Sequence, residues 1–217
     1  MFLGWSDSVG FLALLRRCII GLFPAFLKLD GRRVVIVGAG PVAASKIAAL
    51  KAAGADLVVV APDVCAEVEA AGVSVVRKHF EPSDLHGAWF VVAAAPPEVN
   101  RAVAAEGERL RVFVNAVDDP ANASVYLGGV VRRGGVTFGI STDGAAPALA
   151  GLLREALDAM LPVDLDEWSV RAHELRQSWR ARGVAMEARR PELLEALNAL
   201  YASRRTADDP TAAGEAR

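Results

Sequence analysis

The sequence predicts an α/β fold built on a doubly wound parallel sheet, followed by a β-hairpin, a helix and a small helical region. Two observations carry this prediction. Over the first 120 residues, short β-branched runs alternate with segments of helical periodicity, as in a parallel sheet covered by helices. Beyond residue 120, two apolar runs are separated only by Arg132–Gly135, and so short a connection favours a hairpin.

Bulk composition excludes several classes of function. The formal net charge of -2 gives no reason to expect nucleic acid or an anionic membrane as a partner. Cys18 and Cys65 lie far apart, so neither a thiolate metal site nor a disulfide framework is indicated, and we expect a cytoplasmic protein. Residues 1–22 are interpreted as an N-terminal extension, because Arg16 and Arg17 interrupt an apolar run already too short to span a membrane.

The first strand and the turn after it organise the chain. Arg33–Val37 is a continuous β-branched run, typical of a strand buried on both faces of a parallel sheet. The glycine-rich segment Gly38–Gly40 comes next and predicts a tight turn. Glycine has no Cβ atom, so the backbone can bend sharply there and approach a ligand. Pro41–Ala53 then continues at helical spacing and ends before Gly54, a residue that favours helix termination.

This turn matches the dinucleotide-binding fingerprint. The pattern is G-x-G-x-x-A, with Ala43 at the place of the third glycine. It follows a predicted strand, opens a helix and precedes a second strand at Asp56–Val60, which is the context that a βαβ unit requires. We therefore predict a Rossmann-like doubly wound parallel sheet that binds a dinucleotide. A turn that serves only helix packing is the alternative.

The other elements of the sheet follow from the same patterns. They are helix Asp63–Ala71, strand Val73–Arg77, strand Ala88–Ala93, helix Pro97–Leu110 and strand Val112–Asn115. Ligands of open α/β sheets bind beyond the carboxyl ends of the strands. The residues expected to contact the dinucleotide are accordingly Gly38, Ala39, Gly40, Pro41, Val42, Ala61, Pro62, Asp63, Ala93 and Ala94.

Asp63 is the first acid after the second strand. It has two interpretations: it accepts hydrogen bonds from the adenosine ribose, or it caps the helix that follows. No Lys or Arg lies in that loop, so a 2′-phosphate would lack a partner and NAD is favoured over NADP.

The chain changes character beyond residue 120. Strands Tyr126–Val131 and Val136–Ile140 are predicted to form the hairpin. A helix is expected to begin at Pro147, since proline suits the first turn. Residues 164–203 are predicted to be helical with breaks near Gly183 and Pro191, and residues 204–217 to be a disordered tail because they lack large apolar side chains.

Five segments of the chain, taken together, are far more specific than the glycine turn. They are FPAFLKLDGRRVVIVGAGPVAASKIAAL, VVVAP, PEVN, VFVNAVDDPANAS and ISTDGAAPALAGLLREAL. In order and spacing they resemble the siroheme synthase N-terminal family, whose members are precorrin-2 dehydrogenases and in several cases also sirohydrochlorin ferrochelatases.

The resemblance implies an activity and a domain organisation. The activity is the NAD-dependent, two-electron oxidation of precorrin-2 to sirohydrochlorin, a tetrapyrrole with eight carboxylates, and Fe2+ is a second substrate in members that insert iron. A homodimer is implied, with an NAD-binding domain at residues 23–120, a dimerisation region at 121–162 and a helical C-terminal region at 163–203. One departure, Ala94–Pro96 in place of a polar run, motivates the alternative of an NAD-binding sensor or non-catalytic paralogue.

The resemblance also implies a catalytic residue. The family's catalytic aspartate follows the fifth strand in an N-x-V-D segment, which places it at Asp118. A carboxylate there can act as the general base for protons lost in oxidation or in iron insertion. Asp119 is the rival, and two acids before Pro120 also fit a plain turn.

Other polar residues receive roles from the same match. Asn115 is expected to position the cofactor or the substrate, with a strand-terminating turn as the alternative. Ser141 and Thr142 are expected to hold a substrate carboxylate, although helix capping also explains them. Arg132, Arg133 and Arg154 are candidates for other carboxylates, since guanidinium matches carboxylate geometry, with a solvated surface as the alternative for each. The three histidines show no ligand spacing, so no resident metal is expected.

Overall fold

A computed structural model describes residues 21–207, with side chains described as far as residue 202. It divides into two compact units. The first comprises residues 21–127 and 141–146, and the second comprises residues 128–140 and 147–207. The predicted N-terminal extension lies outside the described residues except for its last two, and the predicted tail does so from residue 208.

The first unit is a five-stranded, entirely parallel sheet with the strand order β3-β2-β1-β4-β5. Its strands are β1 (Arg33–Val37), β2 (Asp56–Val60), β3 (Ser74–Val76), β4 (Phe90–Ala93) and β5 (Phe113–Ala116). Its helices are α1 (Pro41–Ala52), α2 (Ala66–Ala70) and α3 (Pro97–Leu110), with short 3-10 helices at Pro82–Leu85 and Pro120–Asn122. The strand order reverses beside β1, so the predicted Rossmann-like fold is confirmed.

The strand β1 is buried on both faces, as its β-branched sequence predicts. Val34 and Ile36 pack into an apolar cluster with Ile47 of α1. Val35 and Val37 pack into a second cluster with residues of β4, β5 and α3. Neighbouring residues of β1 fall in different clusters because alternate side chains of a strand point to opposite faces of the sheet. Both faces are therefore covered, as in other parallel sheets.

The helix α2 begins at Ala66, three residues later than predicted. The reason is a tertiary contact: Cys65 is in an extended conformation, and its N–H donates to the Ala39 carbonyl oxygen at 3.0 Å. The chain therefore crosses the glycine turn before it becomes helical. The interpretation of Asp63 as the N-cap of this helix is wrong, because Cys65 occupies that position.

The segment after β5 stays with the sheet for longer than the predicted domain boundary at residue 120. The N–H groups of Ser124 and Val125 both donate to the Val114 carbonyl oxygen, at 2.9 and 3.1 Å. This pairing covers one position of the edge strand β5 and keeps residues 121–127 in the first unit.

The second unit contains an antiparallel hairpin of β6 (Gly129–Arg133) and β7 (Val136–Ile140). A hairpin was predicted, but its first strand and its turn were placed wrongly. Arg132 and Arg133 lie in β6, and only Gly134 and Gly135 form the turn, with φ of +54° and +74°. Two consecutive positive φ angles define the two-residue turn that best matches strand twist, and glycine adopts them without strain.

Three helices complete the second unit: α4 (Pro147–Met160), α5 (Leu165–Arg182) and α6 (Met186–Ala207). The predicted start at Pro147 and the predicted break at Gly183, which has a φ of +66°, are both confirmed. The predicted break at Pro191 is wrong, because α6 continues through it. Pro191 is in the second turn of α6, where its missing N–H removes one hydrogen bond near the helix start. The helix also extends four residues into the predicted tail.

No helix within residues 21–207 combines the length and the apolar character needed to cross a membrane.

Candidate dinucleotide site at the carboxyl edge of the sheet

Four loops meet at the carboxyl edge of the five-stranded sheet. They follow β1, β2, β4 and β5, as the parallel topology requires. The hydrogen bonds that join them are Gly38 N–H to Val60 O at 2.9 Å, Ala94 N–H to Val37 O at 2.8 Å, Val117 N–H to Ala93 O at 3.0 Å and Cys65 N–H to Ala39 O at 3.0 Å. The predicted cofactor loops therefore form one continuous rim.

Gly38 is required by packing within the protein. Its φ is +101°, a conformation that side chains rarely adopt. A Cβ atom at this position would overlap the carbonyl group of Ala94. The first glycine of the fingerprint thus lets the β1 loop and the β4 loop approach each other.

Gly40 differs, because nothing in the described chain lies within 4 Å of a Cβ atom built on it. Its φ of -85° suits any residue. It precedes α1, whose first turn contains Pro41 and no acidic side chain, so no carboxylate of that turn competes for the free N–H groups at the helix start. This space and these donors fit a pyrophosphate, which approaches the backbone at the second glycine of the fingerprint.

The neighbouring residues of the turn divide between core and surface. Ala39 and Ala43 are buried, and Ala43 packs in the apolar cluster between α1 and the sheet. Ala43 thus has the role of the fingerprint's third glycine, which is to let the helix approach the sheet closely. Val42 is 44% exposed at the start of α1, and Pro41 is also exposed. Both therefore lie on the surface that a bound dinucleotide would cover.

The loop after β2 offers one acid to a ribose. Ala61 is buried, whereas Pro62 and Asp63 are exposed. Among the described residues, none forms a hydrogen bond or ion pair with the Asp63 carboxylate. Arg77 lies just beyond β3 at the same edge of the sheet, and its guanidinium is paired with Glu69 of α2.

The loop after β4 is held by a residue that the sequence prediction missed. Asn100 is 4% exposed on α3, and its Oδ1 accepts a hydrogen bond from the Ala95 N–H at 3.0 Å. The signal was present as a polar residue on the sheet-facing side of the helix. Ala93 is buried and Ala94 half-buried, so this rim presents backbone and small side chains only.

Asn115 lies within β5 and is 7% exposed, so the alternative of a strand-terminating turn is wrong. Its Nδ2 donates to the Val125 carbonyl oxygen at 2.9 Å. Through this bond Asn115 has a structural role, because it fixes the returning chain against the last strand of the sheet.

Asp118 and Asp119 differ in their surroundings. Asp119 is tied into the turn, because its Oδ2 accepts from Asn122 Nδ2 at 2.7 Å and its carbonyl oxygen accepts from the Asn122 N–H at 3.1 Å. Asp118 is exposed, has a φ of +56°, and its carboxylate has no bonding partner among residues 21–202. Aspartate is one of the few residues that adopt this conformation readily.

The candidate carboxylate-binding residues fall in both compact units. Ser141 and Thr142 belong to the first, where their hydroxyl oxygens accept bonds from Asp143 N–H at 3.1 Å and Ala146 N–H at 3.3 Å. Each hydroxyl keeps its proton for donation to a ligand. Arg132 and Arg154 belong to the second unit. In the described part of the chain, no cluster of His, Cys, Asp and Glu could hold a metal ion.

Comparison with known proteins shows what the chain is similar to. A family model described as "Putative NAD(P)-binding" matches residues 25–129. Siroheme synthase 3 of Aeromonas hydrophila is 41% identical over 172 residues, and the solved structure titled "SirC, precorrin-2 dehydrogenase" matches with a TM-score of 0.61 and 27% identity. The chain is therefore similar in sequence to siroheme synthases and in structure to a precorrin-2 dehydrogenase.

The matched siroheme synthases are longer than the chain, which spans less than half of their length. The aligned region covers 77% of the chain but 37% of the Aeromonas hydrophila protein. For the siroheme synthase of Photorhabdus laumondii, which is 36% identical over 184 residues, the shares are 82% and 39%. The solved SirC structure matches over 80% of the chain and 88% of its own length.

Proposed function

We propose that the chain catalyses the NAD-dependent oxidation of precorrin-2 to sirohydrochlorin. One observation carries the proposal: the exposed carboxylate of Asp118 lies on the same sheet edge as the open glycine turn at Gly40. A base beside a dinucleotide site is the arrangement that a dehydrogenase requires. Precorrin-2 is proposed as the substrate because the chain is similar to a precorrin-2 dehydrogenase over 88% of that structure.

The proposed role of Asp118 is to take a proton. NAD, when bound, would supply the acceptor for the hydride that leaves the substrate carbon. Loss of hydride leaves the tetrapyrrole with a positive charge, and a proton must then depart to complete the double bond. An Asp118 carboxylate oxygen receives that proton, since Asp119 is already bonded to Asn122.

NAD rather than NADP is the proposed cofactor. Asp63 is free to accept from the hydroxyls of the adenosine ribose, and a carboxylate there would repel a 2′-phosphate. Arg77, just beyond β3 at the same edge of the sheet, is neutralised by Glu69. The rim residues Gly38, Gly40 and Val42 are proposed to hold the pyrophosphate.

In the first unit, Ser141 and Thr142 are proposed to bind a carboxylate of the tetrapyrrole. In the second unit, Arg132 and Arg154 are taken by themselves as candidates for binding carboxylates. Arg132 projects from an exposed position of β6, and the Arg154 guanidinium makes one exposed contact with Glu155 at 3.1 Å. An exposed ion pair of this kind contributes about 0–1 kcal/mol, so a substrate carboxylate can displace Glu155 at little cost.

A homodimer is proposed, with the hairpin and α4 as the dimerisation region. Several apolar side chains of this unit are exposed, among them Leu152 at 64%, Met160 at 80% and Val163 at 91%. Apolar side chains that recur along one helix and face solvent mark a surface for association. The cytoplasm remains the proposed compartment.

An anaerobic assay tests the proposal. Purified protein with precorrin-2 and NAD is expected to form one NADH for each sirohydrochlorin. The absorbance band of each product measures its amount. Folded protein that binds NAD but forms no NADH would refute the dehydrogenase proposal and favour a sensor or non-catalytic paralogue. In a separate cuvette that contains sirohydrochlorin and the protein but no NAD, adding Fe2+ examines the predicted iron insertion by itself.

A further inference from the structure

Tyr126 joins two loops that come from different parts of the first compact unit. Its hydroxyl donates a hydrogen bond to the Pro120 carbonyl oxygen at 3.1 Å. Its ring lies against Gly144, because a Cβ atom built there would stand 2.8 Å from Cε1 and 3.3 Å from Cδ1 of the ring. The same Cβ atom would stand 3.6 Å from Cγ of Pro120. The ring, Pro120 and Gly144 therefore form a three-way contact.

Each end of this contact belongs to a loop with a proposed role in the oxidation. Pro120 lies two residues beyond Asp118, whose φ of +56° makes the turn sharp. Gly144 belongs to the loop 141–146, which carries Ser141 and Thr142. The side chain of Tyr126 thus connects the loop of the proposed base with a loop proposed to bind a substrate carboxylate.

The loop 141–146 is held in shape by hydrogen bonds within it. The contact of the Tyr126 ring with Gly144 therefore positions the whole loop. Its internal hydrogen bonds run from Asp143 N–H to Ser141 Oγ at 3.1 Å, from Ala145 N–H to Thr142 O at 2.9 Å and from Ala146 N–H to Thr142 Oγ1 at 3.3 Å. Gly144 has a φ of +74°, and a side chain at this position would push against the Tyr126 ring.

Tyr126 is only half-buried, so packing against Pro120 and Gly144 engages one side of the ring. We infer that Tyr126 is a positioning residue that sets the separation between Asp118 and the Ser141–Thr142 loop. A carboxylate of the tetrapyrrole held by that loop then presents the reacting carbon to Asp118 at a fixed distance. The inference rests on the proposed function, because it assigns these two loops to one substrate.

Three variants test it through turnover. Tyr126→Leu, which removes the ring, is expected to lower kcat about 10–100-fold, since a misplacement near 1 Å costs about 100-fold. Tyr126→Phe keeps the ring contact and is expected to keep kcat within about fivefold of the wild type, because a neutral hydrogen bond contributes only about 1 kcal/mol. Gly144→Ala is expected to reproduce the loss seen with Tyr126→Leu by displacing the ring.

Gly72→Ala is the matched control for Gly144→Ala. Gly72 also has a positive φ, +60°, but nothing lies within 4 Å of a Cβ atom built on it. It therefore carries the same backbone strain without a contact to a loop of the site. Its kcat is expected to equal that of the wild type, while the dissociation constant for NAD is expected to stay unchanged in all four variants.

Among the measurements of turnover, NAD binding and stability, two results would overturn the inference. One is a kcat for Tyr126→Leu within about threefold of the wild type, because the ring would then have no role in positioning. The other is a parallel loss of activity, NAD affinity and melting temperature, which would mark a general structural role.

Amide hydrogen exchange separates this inference from the proposed function. Tyr126→Leu is expected to speed exchange at residues 117–122 and 141–146 together, without change at the glycine turn. Unchanged exchange at either loop overturns the inference even if the wild type is active. A wild type that forms no NADH refutes the proposed function instead, and with it the catalytic part of the inference.

Discussion

At the scale of single residues, the two glycines of the fingerprint have different reasons to be glycine. Gly38 needs its positive φ and its close approach to Ala94, both within the protein. Gly40 has an ordinary φ, and its missing side chain leaves open space beside the start of α1. The fold therefore requires glycine at position 38, whereas at position 40 the proposed reason for glycine is the ligand.

This difference predicts opposite phenotypes for two alanine substitutions. Gly40→Ala is expected to leave the urea midpoint unchanged and to weaken NAD binding about tenfold or more, since one lost contact of about 1.4 kcal/mol has that effect. Gly38→Ala is expected to lower the free energy of unfolding by about 2–4 kcal/mol through overpacking and a strained φ. Titration calorimetry and urea unfolding measure both. Equal effects of the two substitutions on stability would contradict the assignment of Gly40 to the ligand.

The sequence predicted which loops meet at the site but could not rank the residues within them. Asp118 and Asp119 are adjacent acids before a proline, and the family pattern alone favoured the first. The structure adds a physical difference, since Asn122 engages Asp119 and leaves Asp118 without a partner in the described chain. The contact of Tyr126 with Gly144 joins positions 18 residues apart, and no local pattern in the sequence predicts such a contact.

At the scale of elements, the hairpin turn of the second unit is asymmetric. A Cβ atom at Gly134 would overlap the backbone of Leu165 and Asp166 at the start of α5, whereas one at Gly135 would meet nothing within 4 Å. Both glycines have a positive φ. The first therefore holds the turn against α5, and the second only completes the turn.

Asparagine substitutions distinguish the two positions, because asparagine tolerates a positive φ. Gly135→Asn is expected to change the free energy of unfolding by less than about 0.5 kcal/mol, as at other open surface positions. Gly134→Asn is expected to destabilise the protein by about 1–3 kcal/mol, which is typical of overpacking. Thermal unfolding followed by circular dichroism measures both. A loss at Gly135 as large as that at Gly134 would show that the turn conformation, not the helix contact, is decisive.

A carboxylate joins the last two helices. Glu192 of α6 accepts hydrogen bonds from Trp179 Nε1 at 2.7 Å and from the Arg182 guanidinium at 2.9 Å. The bond from Trp179 and then that from Arg182 lower the pKa of Glu192 below its ordinary value of 4.5. A lowered folded-state pKa stabilises the protein at pH values above the unfolded pKa, and this stabilisation is lost as the pH falls through the folded pKa.

The lowered pKa of Glu192 predicts how the effect of Glu192→Gln on stability depends on pH. At pH 7 the substitution is expected to lower the urea midpoint, because the charged acceptor is gone. The difference from the wild type is expected to shrink as the pH falls below about 4.5, where the wild-type carboxyl also becomes protonated. The indole N–H signal of Trp179 in NMR spectra is expected to shift over the same range. A difference that stays constant from pH 7 to pH 3 would contradict this role of the Glu192 charge.

Element types were predictable because burial and periodicity decide them locally. The strand β1 is an uninterrupted β-branched run, and it is a strand buried on both faces. The start of α2 was not predictable, because the bond from Cys65 to Ala39 holds the chain extended across the glycine turn. The continuation of α6 through Pro191 was not predictable either, because proline is costly in a helix interior and the surrounding helix overrides it.

At the scale of the whole molecule, the second unit exposes apolar surface that a monomer has no need to expose. Leu149, Leu152 and Leu153 of α4 are 49%, 64% and 45% exposed. The resemblance to a dimeric family and this apolar face of α4 both support the proposed homodimer. Composition alone does not predict it.

One substitution tests the dimer. Leu152→Glu is expected to convert the protein to a monomer in sedimentation analysis, since a charge buried in an apolar interface costs several kcal/mol. Leu194→Glu is the matched control, because Leu194 is 59% exposed on α6, outside the proposed interface. The control is expected to sediment as the wild type does. A wild type that sediments as a monomer, or equal dissociation by both variants, would contradict the proposed interface.

The most direct test of the account compares Asp118→Asn with Asp119→Asn in the oxidation of precorrin-2 by NAD. Asparagine keeps the left-handed backbone of Asp118 and removes only its charge. Asp118→Asn is expected to lower kcat about 100-fold or more, the usual contribution of a general base, with the dissociation constant for NAD unchanged. Asp119→Asn, which keeps an oxygen for Asn122, is expected to retain most activity. A larger loss at Asp119 than at Asp118 would contradict the assignment of the proton acceptor.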